Sequence, residues 1–350
     1  MLAKAGIKVK LSNVVAIIAA ALLFTYACTP DSTLSASQED IFRIPSHFPE
    51  PVYGQGENAL EAKKIALGRK LFYDPVLSVD GTVSCASCHH QESAFSDEGK
   101  ALSTGINGKE GLRNSPALFN LAWIPAFMAD GGINHIEVMP IAPITDSLEM
   151  GEDLAAVIEK LQLNPDYAAE FKEAFEQTQI TAKQMLVSLA HFMASMVSLN
   201  SLYDQVEQDK RVYTPLQKSG AKLFETHCAS CHQPPLFTDF SYRNNGLDQR
   251  SDDPGRARIT NAESDHGRFK VPSLRNISVT SPYMHDGRFN TLKEVLAHYQ
   301  HGIQTNPNLD ESLKQQIHLT AQEQQAMLAF LQTLTDYTYL TDQKYSKPSL

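Results

Sequence analysis

Two copies of Cys-x-x-Cys-His stand 143 residues apart, Cys85-Ala86-Ser87-Cys88-His89 and Cys228-Ala229-Ser230-Cys231-His232. Even the spacer residues are the same. This pentapeptide is the attachment signal for c-type haem. Two thiols add across the two vinyl groups, and the adjacent histidine reaches the iron as its proximal ligand. Two spacer residues let one helical turn span the porphyrin edge and set the imidazole beneath the metal. Other uses of such cysteines fit less well. A zinc ribbon needs its Cys pairs about 15–20 residues apart. A thioredoxin-like dithiol would occur once, in a βαβ context. Two local disulfides remain as an alternative in an oxidising compartment. The chain is therefore expected to carry two covalently bound haem c groups.

The elements that must hold these motifs form a degenerate repeat. Gly68-Arg69-Lys70-Leu71-Phe72 precedes the first motif, and Gly220-Ala221-Lys222-Leu223-Phe224 precedes the second. Each predicts the end of an amphipathic helix leading into a haem loop. Leu60, Lys64, Leu67 and Leu71 share one face at helical spacing, with the stem of Lys64 able to lie along it. Further helical patterns cover 152–175, 181–209, 291–301 and 320–335. The last opens with Thr320 and Glu323 as a capping box and directs Met327, Leu328, Leu331 and Leu334 inward. No convincing run of alternating strands is present. The fold class is mainly α: two cytochrome c-like haem domains in tandem, 51–205 and 206–345, with long ordered loops. The boundary falls near 203–214, where Asp204, Glu207, Asp209, Lys210 and Arg211 form a charged stretch and Pro215 starts the next helix. Segments 90–118 and 233–282 are loop-like. Long ordered loops tend to be functional, and these are the natural walls of the haem pockets.

The ends and the charge place the chain. Lys4, Lys8 and Lys10 precede an apolar run over 14–23, too short to span a bilayer, so 1–27 has the form of a secretory signal. Cys28, the fifth cysteine, follows Ala27 and precedes a polar stretch, as a lipid-anchored Cys does at a lipoprotein cleavage site. Thr25 stands where Leu is usual, so cleavage near Ala27 without a lipid stays open. Residues 28–50 are expected to be a polar linker. Export to the periplasm agrees with haem attachment. Loss of residues 1–27 takes the net charge from −10 to −13, a poor balance for nucleic acid.

With these residues in view, the chain resembles the bacterial dihaem cytochrome c peroxidase and MauG family over about 55–335. The resemblance rests on Leu71-Phe72-Tyr73-Asp74-Pro75, Arg113-Asn114-Ser115-Pro116, Pro143-Ile144 through Glu149-Met150, Val271-Pro272-Ser273-Leu274-Arg275-Asn276 and Pro282-Tyr283-Met284-His285-Asp286-Gly287. It implies divided labour. The C-terminal haem receives and stores an electron, and the N-terminal haem binds and cleaves hydrogen peroxide. His89 and His232 are the proximal iron ligands. In many family members a distal His blocks the N-terminal iron, and Ile106 occupies that place here. Isoleucine cannot ligate, so the first iron is expected to be open or water-bound, with His90 or His135 as the only nearby rivals. The family's catalytic carboxylate corresponds to Glu149, whose alternative role is to cap the helix starting near 151. The sixth ligand of the C-terminal iron corresponds to Tyr299, with Met284, His298 and His301 as rivals. A phenolate would favour a low-potential second haem. A calcium ion between the domains would use Asn114, Thr280 and Pro282.

Two departures bear on electron flow. Ala129 stands where the family carries a relay Trp, for which Trp123 or Phe127 are the candidate replacements, and Met139 stands where it carries a distal Gln. The leading expectation is a peroxidase that reduces hydrogen peroxide to water with electrons from a small redox protein such as cytochrome c. The alternatives are a MauG-like oxidase of a partner protein's side chain and a non-catalytic dihaem electron carrier. A homodimer is common in the family.

Overall fold

Helix boundaries follow the punctuation in the sequence. The computed structural model describes residues 41–348; the signal segment and Cys28 lie outside them. The helices are α1 (Ala62–Tyr73), α2 (Ile141–Thr145), α3 (Leu154–Leu163), α4 (Pro165–Phe175), α5 (Ala182–Ser195), α6 (Leu202–Glu207), α7 (Pro215–His227), α8 (Ala257–Thr260), α9 (Leu292–Ala297), α10 (Ala321–Gln332) and α11 (Tyr337–Thr341). Single 3-10 turns and loops connect them. The one small sheet among the described residues pairs β1 (Tyr242–Arg243) antiparallel with β2 (Phe269–Lys270). None of the described helices is long and apolar enough to cross a membrane.

The mainly α expectation holds, with two long helices divided. The 152–175 pattern breaks at Asn164, whose side chain accepts the amides of Asp166 and Tyr167 and caps α4, with Pro165 at its first position. An N-cap followed by Pro starts a new helix and cannot continue the old one. The 181–209 pattern breaks between α5 and α6, where Ser201 caps α6. The capping box at Thr320 and Glu323 forms as expected, and Thr214 caps α7 ahead of Pro215.

Two helix crossings repeat the same device. α1 crosses α5 at Gly68, and α7 crosses α10 at Gly220. A Cβ on Gly68 would lie 1.9 Å from the Ser188 carbonyl oxygen, and one on Gly220 would lie 1.9 Å from that of Ala326. Only glycine lets the backbones approach this closely. Phe192 and Phe330 occupy matching places against the two glycines. Around these crossings lie two apolar clusters. One contains Leu71, Phe72, Phe95, Leu189 and Phe192; the other contains Phe224, Phe237, Met327, Phe330 and Leu331.

The first and last described segments pack onto the first cluster. Tyr339, Leu340 and Tyr345 return to it from beyond α10, and the Tyr345 hydroxyl donates to the Ser195 carbonyl at 2.8 Å. At the other end, Phe42 and Phe48 are buried against Trp123, whose indole N–H donates to the Pro49 carbonyl at 2.7 Å. The described part of the 28–50 stretch is thus docked by its aromatic residues. Asp204 also departs from its sequence reading as part of a charged boundary. It is fully buried and paired with Arg275.

Candidate haem sites

Both Cys-x-x-Cys-His segments close the same turn. The amides of Cys88 and His89 both donate to the Cys85 carbonyl, at 3.2 and 3.0 Å. The amides of Cys231 and His232 do the same to Cys228, at 3.2 and 2.9 Å. α7 runs directly into the second motif, with Cys228 as its C-cap. None of the four motif cysteines is in a disulfide.

Each histidine is held by a carbonyl further along the chain. Nδ1–H of His89 donates to Phe95 at 2.6 Å. Nδ1–H of His232 donates to Phe237 at 3.2 Å and Pro272 at 3.1 Å. These bonds fix the tautomer that leaves Nε2 bare for a metal. Burial lowers the proton affinity of both imidazoles, with the carbonyl bonds opposing it, so the neutral ligand form is favoured. One cavity of about 1690 Å³ connects the two motifs and is lined by all four cysteines and both histidines. Paired thiols, a neutral imidazole with free Nε2 and a large, mostly apolar cavity beside each motif fit two haem c groups.

The cavity wall sorts the other candidates. Glu149 lines it close to Cys85 and Cys88. Burial, and then the charge of Asp146, raise its carboxyl above the usual range. Its alternative role is taken by a neighbour: the side chain of Asp153 caps α3 by accepting the amides of Ala155 and Ala156. Ile106 does not line the cavity. It is buried where a Cβ on Gly151 would meet its Cδ1 at 2.4 Å, and its amide donates to the Glu149 carbonyl at 2.9 Å. His90 faces Asp97 and His135 is exposed; neither lines the cavity.

Around the second motif, Tyr299 lines the cavity near Cys228 and Cys231, and burial pushes its phenol up to about 12. It sits in a single π-helical turn, His298–Gly302, a distortion that often marks functional positions. Met284 also lines the cavity, with Asn245 Nδ2 donating to its sulfur at 3.4 Å. His298 is engaged with the Asn245 carbonyl at 2.9 Å, and His301 is exposed; both lie off the cavity. His285, part of the Pro282 to Gly287 motif, lines it, as does His318, which sequence reasoning passed over. His285 stacks on Phe269 at 3.9 Å. Only its place on the cavity wall marks His318.

Asn114, Thr280 and Pro282 all line the cavity. The Asn114 amide N–H donates to the His285 carbonyl at 2.8 Å, and its side chain donates to the carbonyls of Lys100 and Ala101 at 3.1 Å each. Ala129, Met139 and Phe127 line the cavity, whereas Trp123 lies away from it beneath Phe42 and Phe48.

A mainly helical chain with a repeated helix crossing and two such motifs on one cavity is a dihaem c-type cytochrome. Comparison with known proteins narrows the class. Residues 62–211 match the family model for di-haem cytochrome c peroxidase, and 217–335 match that for cytochrome c. The chain is 36% identical over 311 residues to methylamine utilization protein MauG of Methylorubrum extorquens, covering 87% of each. It is 30% identical over 338 residues to cytochrome-c peroxidase IdrP1 of Pseudomonas sp. strain SCT, covering 87% of this chain and 88% of that one. Among solved structures, a MauG-like protein associated with microbial copper homeostasis superposes with a TM-score of 0.80 at 31% identity, over 87% of this chain and 98% of that one. The chain belongs to the di-haem cytochrome c peroxidase family and is an oxidoreductase with haem c as its cofactor.

Proposed function

We propose that the protein reduces hydrogen peroxide to water at the first haem site, with electrons entering at the second from a small redox protein such as cytochrome c. Two electrons and two protons turn one peroxide into two waters. Bound haem supplies an iron that can exchange those electrons and, where a coordination place is open, take up peroxide.

The observation that carries this reading is the contrast on the wall of the first site. Glu149 faces the cavity, while Ile106 is buried against Gly151 and both His90 and His135 lie off the wall. Nothing from those three positions competes with a small oxidant. A carboxyl held above its ordinary range can take a proton from one peroxide oxygen and return it to the other. Tyr299 would close the second site, and His89 and His232 would hold the two irons from the proximal side. Asn114, Thr280 and Pro282 would hold a calcium ion between the two halves. Export of the mature chain to the periplasm, with a lipid at Cys28, belongs to the same proposal.

One observation favours a second reading, oxidation of a partner protein's side chain. Tyr299 lines the cavity near Cys228 and Cys231, and the relative at 36% identity is a MauG. Steady-state peroxide consumption with reduced cytochrome c separates the two. Turnover by the enzyme as isolated, without prior reduction, is the expected result. Turnover with no small donor, together with peroxide-driven oxidation of a partner protein, would favour the second reading. An electron paramagnetic resonance spectrum of the oxidised protein showing only low-spin iron would overturn the open first site.

A further inference from the structure

A longer stretch of the chain repeats position for position beyond the haem motifs. Arg113-Asn114-Ser115-Pro116-Ala117-Leu118-Phe119-Asn120 corresponds to Phe269-Lys270-Val271-Pro272-Ser273-Leu274-Arg275-Asn276. The register runs on without a gap to Met128-Ala129-Asp130-Gly131 and Met284-His285-Asp286-Gly287. The backbone repeats with it. Asn120 and Asn276 are both left-handed, with φ of 54° and 58°, and each precedes a single 3-10 turn. Met128 and Met284 are left-handed too, with φ of 64° and 76°. Phe127 pairs with Ile133 across one tight loop, and Tyr283 pairs with Phe289 across the other.

The two copies exchange partners. The Asn114 amide donates to the His285 carbonyl at 2.8 Å, and the Lys270 amide donates to the Ala129 carbonyl at 2.8 Å. His285 and Ala129 hold the same place in the repeat, so each copy docks its segment on the other copy's loop. In this two-fold arrangement Asn114 corresponds to Lys270, Thr280 to Ile124 and Pro282 to Ala126. The carbonyls that would hold a calcium ion beside Asn114 therefore have counterparts beside Lys270. At that second place the ammonium is already in position: Lys270 Nζ donates to the Ala126 carbonyl at 2.6 Å. Among the described residues, that carbonyl oxygen is its only hydrogen-bond partner. Asp130, whose charge bears on Lys270, is itself taken by Arg113 at 2.8 Å. Lys270 and Ile124 line the cavity, as Asn114, Thr280 and Pro282 do.

A calcium ion and an ammonium group meet the same need of a carbonyl oxygen, since both place positive charge at the negative end of its dipole. A tethered ammonium also keeps a divalent ion out. It occupies the oxygen and repels a second positive charge at close range. We propose that Lys270 is the resident cation of a second copy of the calcium site, so that the chain takes up a divalent ion through Asn114 and none through Ile124 and Ala126. The 284–287 loop then depends on free metal, whereas the 128–131 loop carries its cation with it. This rests on the reading of Asn114, Thr280 and Pro282 as a calcium site, and not on the identity of the substrate.

Counting calcium on the holoenzyme, after chelation and re-exposure to the ion, tests it. Lys270→Asn should bind one more ion per chain than the unaltered enzyme, because the shorter amide offers an oxygen where the ammonium stood. Lys270→Met removes the charge, offers no oxygen and should bind no more than the unaltered enzyme. No gain in Lys270→Asn with both haems attached, or an equal gain in Lys270→Met, overturns the proposal. Should Lys270→Asn fail to fold, the converse variant Asn114→Lys decides. It should take up no calcium, and its Tm should no longer respond to chelator. Continued uptake, or a Tm below that of the chelated unaltered enzyme, overturns the proposal. An unaltered enzyme that binds no calcium would sink the reading of Asn114 alone, because the gain in Lys270→Asn is counted from whatever number the unaltered enzyme binds.

Discussion

Arg275 and Asp204, both fully buried, form a two-pronged ion pair at 2.6 and 2.9 Å. The guanidinium also donates to the Pro235 carbonyl at 2.8 Å and stacks near Phe48. His47 Nε2 lies 3.1 Å from the same carboxylate, so the pair ties the N-terminal segment and α6 to the loop carrying Arg275. Arg275→Met should destabilise the protein by about 3–5 kcal/mol, because it strands a buried charge. Burial alone would raise the Asp204 carboxyl, but the bonds and charge of Arg275 outweigh it and hold it below the usual range. The stabilisation is therefore complete above the ordinary carboxylate range and is lost as the pH falls below it. Thermal melts across pH should show the variant's deficit shrinking in acid; an unchanged deficit there would count against the pair.

Gly68 and Gly220 should resist even a methyl group. Each faces a carbonyl oxygen that a Cβ would meet at 1.9 Å. Gly68→Ala or Gly220→Ala forces one helix of its pair to move, a strain of about 1–3 kcal/mol or more. Calorimetry should show a drop in Tm of several degrees for each. An unshifted Tm in either would mean that the crossing yields without cost.

The parts of this molecule that local chemistry dictates were legible in the sequence. Haem attachment fixes the spacing of Cys85, Cys88 and His89, so the motif needs no tertiary context. Thr320 and Glu323 announce α10 because a capping box is satisfied within four residues. Asp204 misled because its partner stands 71 residues away, and a buried acid looks like any other acid in a charged stretch. The break at Asn164 and Pro165 was visible, but the apolar periodicity runs across it. The cap of α3 fell to Asp153, four residues after Glu149, since only one of two nearby acids can reach the free amides. His318 carries no local mark, and only the fold brings it to the cavity.

Tyr299→Phe should change the electronic spectrum of one haem and leave the other unaltered. The ring lines the second part of the cavity, whereas His298 is tied to the Asn245 carbonyl and His301 is exposed. His301→Gln should therefore leave both spectra intact. Met284 is the rival that also reaches the cavity. If Met284→Leu produces the spectral change and Tyr299→Phe does not, the thioether is the ligand, and the second haem is a high-potential one.

Glu149→Gln should lower peroxide turnover by about 10²–10⁴-fold, the usual range for a positioned acid–base group, with both haems still attached by mass. The pH profile supplies a sharper check. The group acts first as a base, so activity falls as the pH drops through its folded value. Burial and then the charge of Asp146 raise that value above the ordinary 4.5, so the acid limb should lie higher than a free carboxylate would give. Asp146→Asn removes the like charge while its side-chain oxygen can still accept the Leu148 amide, a bond of 2.8 Å. The acid limb should then move to lower pH, and in Glu149→Gln it should disappear from the residual activity. A limb that stays in place in both variants would assign the proton transfer to another group.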